Sequence, residues 1–163
     1  METRRLRFDE RQHLRTWWVL GLVLVVVALS WWAFVEQIVF GRPFGNRPAS
    51  DAAVWALTLG FGLGLPLFIG VLSLRTTVDG DELVLHWRPF RRRRIALADI
   101  ASARAVHYRP IRDYGGWGLR YGRGGWCYSM SGDRGVMLEL RDGRRLLVGS
   151  WRAEELAEVL GRP

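Results

Sequence analysis

Two long runs without a charged residue constrain this chain more than any other feature. Trp17 to Val35 reads WWVLGLVLVVVALSWWAFV, and Ala52 to Leu74 reads AAVWALTLGFGLGLPLFIGVLSL. As a helix the second run rises about 35 Å, enough to cross the hydrocarbon of a bilayer. Helices buried in soluble cores rarely avoid charge over such lengths. Trp17, Trp18, Trp31 and Trp32 stand near the two ends of the first run, where amphipathic indoles favour the membrane interface. Residues 17–74 therefore read as a two-helix transmembrane hairpin, with spans at about 17–40 and 52–74. The link GRPFGNRPASD reads as a short irregular turn. No A-x-A cleavage site follows the first run, so it is expected to be retained as an anchor.

Charge sets the expected orientation. Arg4, Arg5, Arg7, Arg11 and Arg15 precede the first span, and Arg75, Arg88 and Arg91 to Arg94 follow the second, whereas the link holds only Arg42 and Arg47. The positive-inside rule places both flanks in the cytoplasm, giving a multi-pass protein of the inner cell membrane with both termini cytoplasmic. Gly60 and Gly64 form G-x-x-x-G, which serves either close packing against the first span or a homo-oligomer face. The short tether favours packing within the hairpin. Pro66 is expected to kink the second helix locally, and Glu36 sits at the outer end, where it reaches water.

From Arg75 onward the pattern changes to period-two alternation broken by turn residues. Leu83, Leu85 and Trp87 alternate with Val84, His86 and Arg88 after Asp79-Gly80-Asp81. Val136, Leu138 and Leu140 alternate before Asp142-Gly143, a hairpin signal that leads into Arg145 to Gly149. Ile95–Leu97 and Ala101–Tyr108 are weaker strand candidates. Ser150 reads as a helix cap, with Glu154 and Glu155 in the first turn and Ala153, Leu156, Ala157 and Leu160 on one face.

The stretch DYGGWGLRYGRGGWCYSMSG, residues 113–132, reads as a hairpin. Trp117, Leu119, Tyr121, Trp126, Tyr128 and Met130 share one aromatic face, which is expected to be buried scaffold. Trp117, Arg120, Tyr121 and Arg123 mark a candidate partner-binding edge. Arg91, Arg92, Arg93 and Arg94, expected between two strands near the membrane exit, are candidate contacts for anionic lipid head groups. All 24 basic residues are arginine, so an arginine cluster carries less weight here than in a chain of mixed basic composition.

The hairpin followed by VDGDELVL, RIALADI, GGWGLR, SGDRGV and GSWRAEEL resembles bacterial pleckstrin-homology-like membrane proteins of uncharacterised function. The resemblance covers most of the chain and implies a strongly bent β-sheet or barrel closed by a C-terminal helix. It brings no catalytic residues with it. The expected class is α+β: a basic N-terminal segment (1–16), the membrane hairpin (17–74), and a small antiparallel PH-like β domain with a C-terminal helix (75–163).

Function is read as a non-catalytic, membrane-anchored binding module at the inner leaflet that engages lipid or an unidentified protein. No G-x-S-x-G, H-E-x-x-H, P-loop or paired cysteine is present. The single Cys127 and the separated His13, His86 and His107 argue against a disulfide or a Cys/His metal site, and no cofactor is expected. His107 beside Tyr108, with Asp113 nearby in sequence, is the one cluster worth screening for an alternative membrane-bound enzyme. Nucleic-acid binding through interleaved arginines and aromatics is a further alternative, weakened by tethering and by the core-like alternation, so no nucleic-acid partner is expected.

Overall fold

A computed structural model describes residues 6–14, 16–122 and 124–161. The chain divides into two units, one of residues up to Leu14 together with those from Leu72 onward, the other running from Arg15 to Val71.

The second unit is a helical hairpin. Its helices α1 (Trp17–Val39) and α2 (Asp51–Val71) contain 18-residue stretches of mean hydropathy 2.4 and 1.9 respectively, and are long and apolar enough to cross a membrane. Ser50 caps α2 by accepting the Ala53 N–H at 3.3 Å. The middle of α2, Thr58–Gly64, widens into π-helical turns just before Pro66, which cannot return an α-type hydrogen bond to the Gly62 carbonyl. The Trp31 indole N–H donates to that carbonyl at 3.3 Å. The Thr58 hydroxyl adds a bond to the Ser30 carbonyl at 3.2 Å. The two helices therefore meet through Val54, Thr58 and Gly62, the α2 residues buried here. A Cβ on Gly62 would stand 3.0 Å from the Trp31 ring nitrogen, whereas one on Gly60 would meet nothing. This corrects the expected packing role of Gly60 and Gly64, which lie on exposed positions away from α1.

Among the described residues the first unit holds nine strands in two sheets. β1 (Leu6–His13), β2 (Ser73–Asp79), β3 (Glu82–Arg88) and β4 (Arg91–Ala96) form an antiparallel meander in chain order. β5 (Ile100–His107), β6 (Gly118–Gly122), β7 (Gly125–Ser129), β8 (Arg134–Leu140) and β9 (Arg145–Gly149) form the second, ordered β5-β8-β9-β7-β6. A short helix α3 (Pro110–Tyr114) leads into β6, and α4 (Ala153–Gly161) ends the chain. The second sheet is mixed, not purely antiparallel as the alternation suggested. β9 inserts between β7 and β8, so it runs antiparallel to β8 and parallel to β7.

The N-terminal segment is a strand of the β domain, not a separate basic arm. Its register runs from Leu6 opposite Asp79 to His13 opposite Ser73, so the helical hairpin is inserted between two neighbouring strands. Period-two alternation is hard to see in LRFDERQH because the inward positions after Phe8 are Glu10 and Gln12, both buried. Glu10, only 7 % exposed, accepts the Ser150 hydroxyl at 2.6 Å, the Trp151 N–H at 2.9 Å and the Gln12 side-chain N–H at 2.6 Å. Gln12 also donates to the Gly149 carbonyl at 3.0 Å. A carboxylate from the first strand thus satisfies donors at the entry to α4, where negative charge is also favoured by the helix dipole. The Ser150 hydroxyl accepts the Arg152 N–H at 3.1 Å, but the helix begins at Ala153, so Ser150 closes the turn before α4 and does not cap its first-turn N–H groups, a correction to the expected cap.

Leu74, Val78, Leu83, Leu85, Val136, Leu138, Leu146, Val148 and Leu156 form the centre of a core shared by both sheets and α4. A smaller cluster of Tyr108, Tyr114, Cys127 and Leu147 lies on the other face of the second sheet.

Removing the Glu10 carboxylate leaves several buried donors unpaired, at a cost of about 2–3 kcal/mol. In detergent-solubilised full chain, Glu10→Ala is expected to lower the melting temperature of the β domain by about 10 °C. Unchanged melting would restore the N-terminal segment to an independent arm.

Candidate functional site

The arginine run at Arg91–Arg94 lies within strand β4, not in the turn before it. Strand geometry therefore divides it between two faces. Arg91 and Arg93 stand opposite Trp87 and Leu85, on the side of the core, while Arg92 and Arg94 stand opposite His86 and Val84 on the outer face. Arg93 lies over the Tyr128 ring with its guanidinium carbon 5.9 Å from the centroid, and Arg94 approaches Glu82 at 3.9 Å. The four residues do not form one cluster.

On the outer face of the first sheet, Arg92 joins residues far away in sequence. Arg11 stands opposite Arg75, Arg75 opposite His86, and His86 opposite Arg92. Asp9 grips Arg75 with two hydrogen bonds of 2.9 and 2.6 Å, which hold its carboxyl below the ordinary range. A shallow depression of about 590 Å³ is lined by Asp9, Arg11, Arg75, His86 and Arg88. Partial burial, and then the fields of Arg88, Arg92 and Arg75, hold His86 below the ordinary histidine value. In the sequence Arg11 and Arg75 stand only as membrane flanks and His86 as an isolated histidine. Alternation around His86 was visible there, but the register that aligns the three was not.

A second basic depression, also about 590 Å³, is lined by Arg93, Arg94, Asp99, Arg141, Asp142 and Arg144. Two of its four arginines are held by partners beside the depression. Arg144 pairs with Asp142 at 2.6 Å, and Arg141 Nε donates to the Ala98 carbonyl at 2.6 Å.

The β6–β7 hairpin separates into a buried base and an exposed tip. Tyr128 and Met130 are buried and Leu119 half-buried against the main core, and the Trp117 indole donates to the Gly132 carbonyl at 2.8 Å. Tyr121 and Trp126, paired across the strands, are 72 % and 40 % exposed and meet edge to face at 5.4 Å. This corrects the expectation of one continuous buried face. β6 is an edge strand, and the hairpin carries its last aromatic cross-strand pair beyond the cover of the core. The opposite face is also covered at its base, where Cys127 is fully buried. Tyr114 lies so close to Gly122 that a Cβ there would stand 2.6 Å from its ring. Of the candidate edge, Arg120 is exposed opposite Cys127, and Arg123 lies outside the described residues.

Within the screened histidine cluster, His107 and Asp113 are engaged with other groups. His107 Nδ1 lies 3.8 Å from Asp133, both exposed, whereas the Asp113 carboxylate accepts the Arg109 N–H at 2.8 Å. Burial pushes the Cys127 thiol up to about 11, which suppresses the thiolate a nucleophile requires. Among the described residues no group of three or more His, Cys, Asp or Glu could hold a metal ion. No protein-family model matches the chain, and no curated protein is significantly similar to it.

Two outcomes are expected from this geometry. Tyr128→Ala should destabilise the domain by about 3–5 kcal/mol, whereas Trp126→Ala should cost under about 1 kcal/mol, as denaturant melts of the full chain will read. A depressed histidine value means that the folded chain favours the neutral ring. The stability this contributes is present above the unfolded value of about 6.5 and is lost as pH falls through the folded value. An NMR titration of His86 should give a midpoint below 6.5, and Arg92→Ser should raise it.

Proposed function

We propose that this protein is a membrane-anchored binding module: a PH-like β domain held at the inner leaflet by its helical hairpin, engaging lipid or protein without catalysing a reaction. The observation that carries the reading is the insertion of two long apolar helices between adjacent strands β1 and β2 of one sheet. Both ends of the hairpin are thereby tied to a domain whose remaining surface is strongly basic. From Arg75 onward there are 17 arginines against 11 acidic residues, a balance that favours the anionic cytoplasmic leaflet. The four-stranded meander, the second sheet and the closing helix packed on β5 and β8 support the PH-like comparison. Against catalysis stand the buried, protonated Cys127 and the engagement of His107 with Asp133 and of Asp113 with the Arg109 N–H. The exposed Tyr121–Trp126 tip is the surface best suited to a protein partner, since aromatic anchors dominate such interfaces.

Carbonate washing should leave the full chain in the membrane pellet. In a Cys127→Ala background, an impermeant thiol reagent added to intact cells should label Ser50→Cys in the link and spare Glu154→Cys on α4, two positions that are exposed. Release by carbonate would reject the anchor, and labelling of position 154 alone would invert the topology.

A further inference from the structure

One transverse row of the first sheet carries a basic residue on each of its four strands: Arg11, Arg75, His86 and Arg92. Strands spaced 4.7–4.9 Å apart put the row within about 15 Å. Like charges set directly opposite one another destabilise a sheet. Asp9 offsets Arg75, but no ion pair reaches Arg11, Arg88 or Arg92 among the described residues. With His86 neutral and Arg75 held by Asp9, the row and its neighbour present the guanidiniums of Arg11, Arg88 and Arg92 with no acidic partner among the described residues, a set of donors that suits a polyanion. Its place on the sheet indicates which one. The row lies two residues in from the His13–Ser73 pair, the points from which the chain leaves toward α1 and to which it returns from α2. At the strand rise, that is about 7 Å from the end of the sheet. The β3–β4 turn is at the same end, since Ser73 faces Arg88 and Trp87 faces Arg91. It presents Phe90, 59 % exposed and stacked on Trp87 at 5.0 Å.

We propose that this end of the first sheet docks on the headgroup layer of the membrane holding the hairpin. Arg11, Arg88 and Arg92 meet the phosphates of anionic lipids, and Phe90 enters the interface. The inference rests on the reading that α1 and α2 span a bilayer, and it adds a defined surface and ligand class to that reading. The links are short, Leu14–Thr16 on one side and Leu72 on the other, so lipid phosphate is present at an effective concentration that a dilute soluble anion does not reach. Arginine stems span the remaining distance and keep the guanidinium at the polar layer.

The test uses the full chain in nanodiscs of phosphatidylcholine, with or without about 30 % phosphatidylglycerol, and follows thermal unfolding of the β domain. Phosphatidylglycerol should raise its melting temperature by about 5 °C or more, and about 0.5 M NaCl should abolish the gain. Arg11→Ser with Arg92→Ser should lose most of the gain while melting close to wild type in phosphatidylcholine alone, because neither exposed side chain has an ion pair to lose among the described residues. The milder Arg92→Gln should lose part of it. Arg104→Ser with Arg112→Ser, which removes the same charge elsewhere on the domain, should keep it. A gain absent from the wild type, retained without Arg11 and Arg92, or lost equally in the control pair overturns the proposal. So does an equal gain from micromolar tripolyphosphate in phosphatidylcholine discs that phosphatidylglycerol fails to give, which would assign the row to a soluble anion. Failure of the chain to enter nanodiscs overturns the anchor itself and the lipid assignment with it, a result distinct from entry without lipid dependence.

Discussion

The arrangement depends on one buried carboxylate. Glu10 belongs to the strand before the apolar helices, yet it binds the Ser150 hydroxyl and the Trp151 N–H about 140 positions later. Burying a carboxylate is expensive unless its oxygens are satisfied, and here donors from β1 and from the entry to α4 satisfy them together. The consequence is topological. With β1 fixed to both β2 and the corner before α4, the helices between β1 and β2 become an insertion with both ends held at one pair, His13 and Ser73. A compact hairpin bridging those ends also limits the entropy lost in pairing strands so distant in sequence.

The same pairing creates the charge pattern. Arg11, Arg75, His86 and Arg92 meet only because three antiparallel registers align them, and a one-residue slip in any strand would turn its basic side chain toward the core. Core packing of Leu74, Leu83 and Leu85 therefore also enforces the proximity of cations on the reverse face. Asp9 and the neutral ring of His86 keep the row from setting two uncompensated charges face to face, so the donors of Arg11 and Arg92 remain available.

Stability and exposure are separated along the β6–β7 hairpin. Tyr128 and Met130 secure its base in the core, while Tyr121 and Trp126 stabilise each other at the tip through an edge-to-face contact. A partner could cover the tip without disturbing the core. The neighbouring basic depression differs from the outer row because Asp142 and the Ala98 carbonyl already occupy Arg144 and Arg141, and it contains acids of its own, Asp99 and Asp142. Basic composition alone would not distinguish the two surfaces.

Several elements were legible in the sequence because their signals are local. Absence of charge marks α1 and α2, period-two alternation marks β3, β8 and β9, and Ser150 followed by Glu154, Glu155 and Leu156 marks α4. Strand β1 was hidden because Glu10 and Gln12 occupy its inward positions, and their partners lie at the far end of the chain. Gly60 and Gly64 drew attention as a motif, but which face of α2 meets α1 is decided by Trp31 reaching the Gly62 carbonyl that Pro66 leaves without its helical donor. Whether an alternating aromatic is buried depends on how far its strand extends beyond its neighbours, and periodicity does not encode that. The basic row has no sequence signature, because position 11 meets position 75 only through long-range strand register. Local physical preferences thus determined the elements, whereas non-local pairing decided which charges and aromatics share a surface.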